Sequence, residues 1–217
     1  MRTERQSVEF AGGKLAERRH ICAFFNSLDE QHRVLRSFFK DGIDRGEKAF
    51  HLVDAELREE HVKRLVEAGI NVQQAMDTGQ LEVRLWQDSY LSKHRFDQDA
   101  MLALVEGQLQ SSTAAGYPLT RFMGHMEWAL LDKPGVADLL EYETRLNYMI
   151  PKYDDIVVCA YDLSKFGASV LMDVMRTHPV VIVGGLLQEN PFFVPPDQFL
   201  LEIKNRRSAR KSAGMAN

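Results

Sequence analysis

The chain has 217 residues, of which 45% are hydrophobic and 27% charged; 27 basic against 31 acidic residues leave a net charge of −4. That composition excludes a collagen-like, mucin-like or wholly disordered chain, and the acidic balance argues against nucleic acid as a partner. No apolar run approaches the roughly 20 residues that span a bilayer, the first ten residues lack a secretory h-region, and two distant cysteines make no disulfide framework. A cytoplasmic protein with no membrane partner is expected.

Six short apolar runs punctuate the sequence, at residues 20–26, 48–54, 81–86, 119–126, 155–161 and 179–184. They are rich in β-branched or aromatic residues and lack clean polar alternation, which predicts strands buried on both faces. Segments of helical period lie between them. Residues 29–42 place Val34, Leu35, Phe38 and Phe39 on one face; residues 56–68 group Leu57, Val62, Leu65 and Val66 before Gly69. Further helices are expected over 97–115, 136–150 and 165–176, and a last one from the Pro195-Pro196-Asp197 turn. Strands alternating with helices predict a doubly wound α/β domain with a mainly parallel sheet of six or seven strands and helices on both faces. The domain is expected over residues 18–203, after a flexible lead of residues 1–17. The stretch 204–217 is expected to be a basic, disordered tail, either the frayed end of the last helix or a phosphate-contacting arm.

In such a fold ligands bind beyond the carboxyl ends of the strands. Asn26, Ser27, Asp54, Glu127, Trp128, Tyr161 and Asp162 fall there and are the candidate ligand-binding residues. Their mixture of acids and aromatics suits a small organic ligand better than a polyphosphate. A P-loop needs glycines and a lysine after the first strand, so that backbone N–H groups can close around phosphate. This turn reads Asn26-Ser27-Leu28-Asp29-Glu30, with two acids in the first helical turn, where they also serve as helix-capping residues. One like-charge pair at about 6 Å costs roughly 3 kcal/mol at an effective dielectric near 20, so tight ATP or GTP binding is not expected there.

His20 and Cys22, two apart on one strand, share a face, while Cys159 lies in the fifth run and His178 at the start of the sixth. No C-x-x-C or H-x-x-x-H spacing marks zinc, and no G-x-S-x-G elbow marks a nucleophile. No catalytic residue, metal ligand or cofactor is assigned.

Several short motifs in order resemble the MEDS family, named for methanogens, methylotrophs and the sensory domain of a dichloromethane-responsive regulator. They are His20-x-Cys22-x-Phe24-Phe25, Leu35-x-x-Phe38-Phe39-x-x-Gly42, Gly46-Glu47-Lys48, Glu127-Trp128, Cys159-x-Tyr161-Asp162, Thr177-His178-Pro179 and Asn190-Pro191-Phe192. The resemblance implies a RecA/KaiC-like fold with a degenerate P-loop and a non-catalytic domain that senses small molecules, with hydrocarbon derivatives proposed for the family. Members often adjoin a DNA-binding helix-turn-helix or a histidine kinase. The segments flanking residues 18–203 are too short for either, so the signal is expected to pass through a partner histidine kinase or transcriptional regulator, or through a homo-oligomer. A nucleotide-dependent RecA-like enzyme is the first alternative. The second is an assembly module docking through the apolar stretch 191–196.

Overall fold

The non-alternating runs form the middle layer of the molecule. The computed structural model describes residues 7–91 and 94–214. An N-terminal hairpin, β1 (Val8–Phe10) and β2 (Gly13–Leu15), precedes six parallel strands. These are β3 (His20–Phe25), β4 (Lys48–Val53), β5 (Leu81–Leu85), β6 (Thr120–His125), β7 (Ile156–Asp162) and β8 (Val180–Val183). An antiparallel strand, β9 (Leu186–Glu189), completes a seven-stranded sheet of order β5-β4-β6-β7-β3-β8-β9. The doubly wound, mainly parallel architecture expected from the sequence is the one observed.

Connections leaving β3 and β4 run toward β5 and carry α1 (Leu28–Asp44), α2 (Arg58–Glu67) and α3 (Val72–Asp77). Those running the other way carry α4 (Gln98–Ala114), α5 (Leu139–Met149) and α6 (Ala168–Arg176). Right-handed crossovers therefore place the two sets on opposite faces. Strand side chains divide accordingly: Ile21, Ala23 and Phe25 join Leu35, Phe38 and Leu65 in one core, while Cys22, Phe24 and Tyr161 join Val105, Tyr142 and Leu146 in the other. A last helix, α7 (Pro196–Gly214), packs on α5.

Both ends of the chain are more ordered than expected. Within the lead, residues 8–15 form the hairpin, whose Val8, Phe10 and Leu15 are buried, with the Phe10 ring 4.8 Å from that of Phe38. In the basic stretch, α7 continues to Gly214. Arg206 binds Asp173 and Glu202, and Arg207 binds Asp138 and Glu141. Most of these counterions come from α5, α6 and the turn before α5, out of reach of a local charge count. Residues 1–6 and 215–217 lie outside the described residues.

Several polar residues on the buried strands find partners inside the protein. Arg121 on β6 donates through Nε to Glu47 (2.5 Å) and through Nη1 to the Phe38 carbonyl (2.7 Å). Its approach requires Gly42, where a Cβ would lie 2.6 Å from Arg121 Cδ. On the same face His51 and His61 share a hydrogen bond of 2.9 Å, and Gln31 Nε2 donates to His125 (2.7 Å). His32 packs beside His61, with ring centroids 5.0 Å apart.

Burial holds this histidine cluster neutral. It pushes His32 down to about 4, helped by Arg64 and opposed by Glu60 and Asp29, and drives His61 well below its usual value. His51 and His125 are pushed down to about 3, chiefly by burial and then by neighbouring imidazoles, with Lys165 adding to the effect at His125. An unfolded chain would bind these protons near pH 6.5 and the folded one only near pH 3–4. Stability is therefore complete above the unfolded value and falls as pH drops below it. At about pH 5 the loss is roughly 2 kcal/mol per histidine. Thermal melts should show a much lower Tm at about pH 5 than at about pH 7.5. Equal values would mean the cluster is not held neutral.

Candidate functional site

The ends of β3, β6 and β7 meet where the connections diverge in opposite directions, the usual ligand crevice of this architecture. After β3 the chain turns through Asn26 into α1, and Ser27 caps the helix by accepting from Glu30 N (3.2 Å). The Glu30 carboxylate folds back to accept from Asn26 N (2.7 Å) and Asn26 Nδ2 (2.9 Å), and these bonds hold it below the usual carboxylate range. Asp29 pairs with Arg64 of α2. A carboxylate of the chain itself thus sits at the helix end that could receive an anion.

Beside it lies a cleft of about 60 Å³, lined by Ser27, Gln31, His125, Glu127, Asp162 and Lys165 among others. Lys165 Nζ stands 3.9 Å from Glu127 Oε1 and 3.7 Å from Asp162 Oδ2. Glu127 Oε2 is buried and makes no hydrogen bond. Burial pushes the Glu127 carboxyl up; its own backbone N–H and Lys165 oppose this, and the charges of Asp162 and Asp54 reinforce it. Asp162 Oδ1 accepts from Ser164 N (2.9 Å) and Oγ (2.6 Å), and Asp54 Oδ1 accepts from Glu56 N (3.0 Å).

Of the seven candidate residues, Ser27, Glu127 and Asp162 line this cleft; Asn26 is bonded to Glu30, and Asp54 acts on Glu127 by its charge. Trp128 and Tyr161 are elsewhere. Glu127 and Trp128 belong to a single 3₁₀ turn, whose successive side chains point about 120° apart. Glu127 therefore faces the cleft, while Trp128 is fully buried, stacked on Tyr90 at 4.5 Å and against Phe96 at 4.4 Å. Tyr161 points into the α5 side of the sheet, where its hydroxyl donates to Glu143 Oε1 (2.7 Å).

Glu143 is the residue that sequence reasoning missed. It sits mid-helix on α5, fully buried, and gathers His20, Cys159 and His178 around it. Among helical neighbours nothing in the sequence marks it; only His20, Cys22, Cys159 and His178 stood out. A cavity of about 290 Å³ opens next to His20 and Asn147 at the opposite end of the sheet from the cleft, with Phe193 in its wall. Phe192 is 58% exposed, whereas Phe193 is half-buried, its ring facing Arg18 at 5.9 Å.

The sequence of these elements matches a model of the MEDS family, the methanogen/methylotroph, DcmR sensory domain, over residues 19–179. The chain belongs to this family. No curated protein matches it. Among solved structures the MEDS domain is similar to a KaiC-like protein from the hyperthermophilic archaeon Pyrococcus horikoshii OT3. That likeness has 12% identity and a TM-score of 0.51, and covers 76% of this chain and 70% of the other. It supports a RecA/KaiC-like fold for the MEDS domain. Among the described residues no helix is long and apolar enough to cross a membrane.

Two outcomes separate the cleft from the core. Replacing Lys165 by Met removes a charge that lowers Glu127, so the Glu127 carboxyl should titrate higher still, as read by carbon NMR of the side chain; an unchanged midpoint would show that Lys165 does not act on it. Trp128→Ala should cost roughly 3–5 kcal/mol in urea unfolding, the range for a buried large aromatic. A cost below about 1 kcal/mol would be inconsistent with the packing described.

Proposed function

We propose that this MEDS domain is a non-catalytic sensor that binds a small, neutral or cationic organic molecule in the cleft beside Glu127. The observation that carries the reading is the buried, unpartnered Glu127 Oε2 facing a cleft of only about 60 Å³. A buried acceptor without a donor costs about 1–3 kcal/mol. A hydroxyl or ammonium group supplies that donor, and the volume restricts the ligand to a few heavy atoms. Ser27, Asp162 and Lys165 supply the remaining polar contacts, with Asn26 and Asp54 at the margin. The family's description as a sensory domain supports the same reading.

Two features argue against nucleotide turnover, although the fold is shared with a KaiC-like protein. The Glu30 carboxylate already accepts from the Asn26 amide in the turn where a phosphate would sit, and a triphosphate brought there meets Asp29 and Glu30 with no lysine from the turn to neutralise it. The sensor passes its state to a separate signalling protein, a histidine kinase or a transcriptional regulator. The exposed Phe192 and the Val183–Leu186 hairpin tip are apolar surface available for that contact.

Calorimetric titration with Mg·ATP should show no binding tighter than about millimolar, or about −4 kcal/mol. Micromolar affinity accompanied by hydrolysis that disappears in Glu127→Gln would replace the sensor with an enzyme. In native mass spectrometry, a small molecule co-purifying with the wild type should be lost in Glu127→Gln; retention in the variant would move the ligand site away from the cleft.

A further inference from the structure

Four donor atoms from four separate segments converge inside the α5 side of the sheet. They are Nε2 of His20 on β3, Nε2 of His178 just before β8, a carboxylate oxygen of Glu143 on α5 and Sγ of Cys159 on β7, all within 4.8 Å of one another and all buried. We propose that His20, Glu143, Cys159 and His178 form a tetrahedral site for one divalent transition-metal ion, with Zn²⁺ the ion favoured by the donor set.

The hydrogen-bond directions around the cluster leave it short of protons. Asn147 Nδ2 donates to the carbonyls of Glu143 (3.2 Å), Thr144 (3.2 Å) and Thr177 (2.8 Å), which fixes its amide so that Oδ1 is the acceptor facing His20 Nδ1 at 3.1 Å. The His20 ring therefore carries its proton on Nδ1. His178 Nδ1 lies 2.9 Å from the Val174 carbonyl, which can only accept, so this ring too carries its proton on Nδ1. Both Nε2 atoms then present lone pairs to Glu143 Oε2, at 3.3 and 3.2 Å. His178 Nε2 makes no hydrogen bond although the residue is fully buried. Among the four facing atoms one hydrogen remains, that of the Cys159 thiol, and three acceptors face one another without it. Such an arrangement is repulsive unless a cation sits between them.

Four of the six donor–donor spacings are close to those of ligands on one ion, and the widest pair would draw in on binding from 4.8 Å. Zinc bonds of about 2.0–2.3 Å in tetrahedral array set donors roughly 3.3–3.6 Å apart. Beyond the two nitrogen–oxygen distances, Cys159 Sγ lies 3.5 Å from Glu143 Oε2 and 3.7 Å from His20 Nε2. Charge-assisted N–H···O bonds would be shorter, about 2.7–2.9 Å. The outer contacts also follow the pattern of metal sites: each imidazole donates its remote N–H to an oxygen, and Tyr161 holds the far carboxylate oxygen of Glu143. Thiolate and carboxylate together neutralise a divalent charge. Binding exchanges the Cys159 thiol proton for a metal–sulfur bond and releases that proton to solvent. The 290 Å³ cavity reaches His20 and Asn147, at the edge of the cluster. This site is on the other side of the sheet from the Gln31–His125 floor of the sensing cleft, and neither proposal depends on the other.

The test uses the whole chain, stripped with a chelator and titrated with Co²⁺ as a spectroscopic probe. One Co²⁺ should bind per chain, with a thiolate-to-cobalt charge-transfer band and visible bands of tetrahedral intensity, and equimolar Zn²⁺ should abolish them. Cys159→Ser should lose the charge-transfer band and bind at least ten-fold more weakly. Cys22→Ser should keep the band, because Cys22 adjoins Cys159 in the strand register but is not among the four donors. Asn147→Ala, which frees the His20 ring, should weaken binding by about 10–100-fold. Should Cys159→Ser not fold, the wild type decides: Zn²⁺ should raise the Tm of the stripped protein. An unchanged Tm, binding well below one ion per chain, or a charge-transfer band that survives in Cys159→Ser or vanishes in Cys22→Ser would overturn the assignment.

Discussion

Burying both faces of a parallel sheet obliges every polar side chain on its strands to find a partner inside the protein. An unpaired charge there costs several kcal/mol, so helices must bring partners as well as apolar cover. In this domain the obligation is unusually heavy, because six of its seven histidines are buried. Arg121 is met by Glu47 and the Phe38 carbonyl; His51 and His125 by His61 and Gln31; His20 and Cys159 by Glu143. The positions of α1, α2 and α5 answer to these polar contacts as much as to the leucines and phenylalanines around them. Neutral imidazoles on one face and an acid-centred cluster on the other are two solutions to the same constraint.

Much of the fold was legible because such strands leave a plain signature. A run like Ile156 to Tyr161 has no polar alternation, and that alone identifies a strand covered twice. Short elements left no such trace. The hairpin strands have three residues each and α3 has six, too few for any periodicity to show. The site was half legible. Ranking residues by position after a strand found Ser27, Glu127 and Asp162, which do share a cleft. It failed to separate Glu127 from Trp128, since one step along a 3₁₀ turn carries a side chain from solvent into core. Glu143 was invisible for a different reason: an acid within a helix reads as solvated surface, and only tertiary packing reveals that this one faces inward.

The likeness to a KaiC-like structure is one of fold, and the chemistry at the start of α1 is set by this chain's own residues. At the start of α1, Ser27 Oγ accepts from Glu30 N and the Glu30 carboxylate accepts from Asn26 N, so two backbone donors of this turn are already engaged. A capping interaction of ordinary strength is enough to redirect chemistry, because it uses the same donors the anion would need. The crevice beside it carries carboxylates and Lys165, and its helix end offers fewer free donors to an anion.

The N-terminal hairpin has a colloidal consequence. Leu187 N of β9 donates to the Ala11 carbonyl, and Gly13 lies so close to Leu187 that a Cβ would meet its carbonyl oxygen at 2.5 Å. The hairpin thus lies along the outer margin of β9, while the opposite margin, β5, carries Glu82 and Arg84. Exposed strand margins recruit other chains into intermolecular sheets, and proteins suppress this by covering or charging them. Here one margin is covered and the other charged. Without the hairpin the backbone of β9 would be bare, an open strand margin on which another chain could pair.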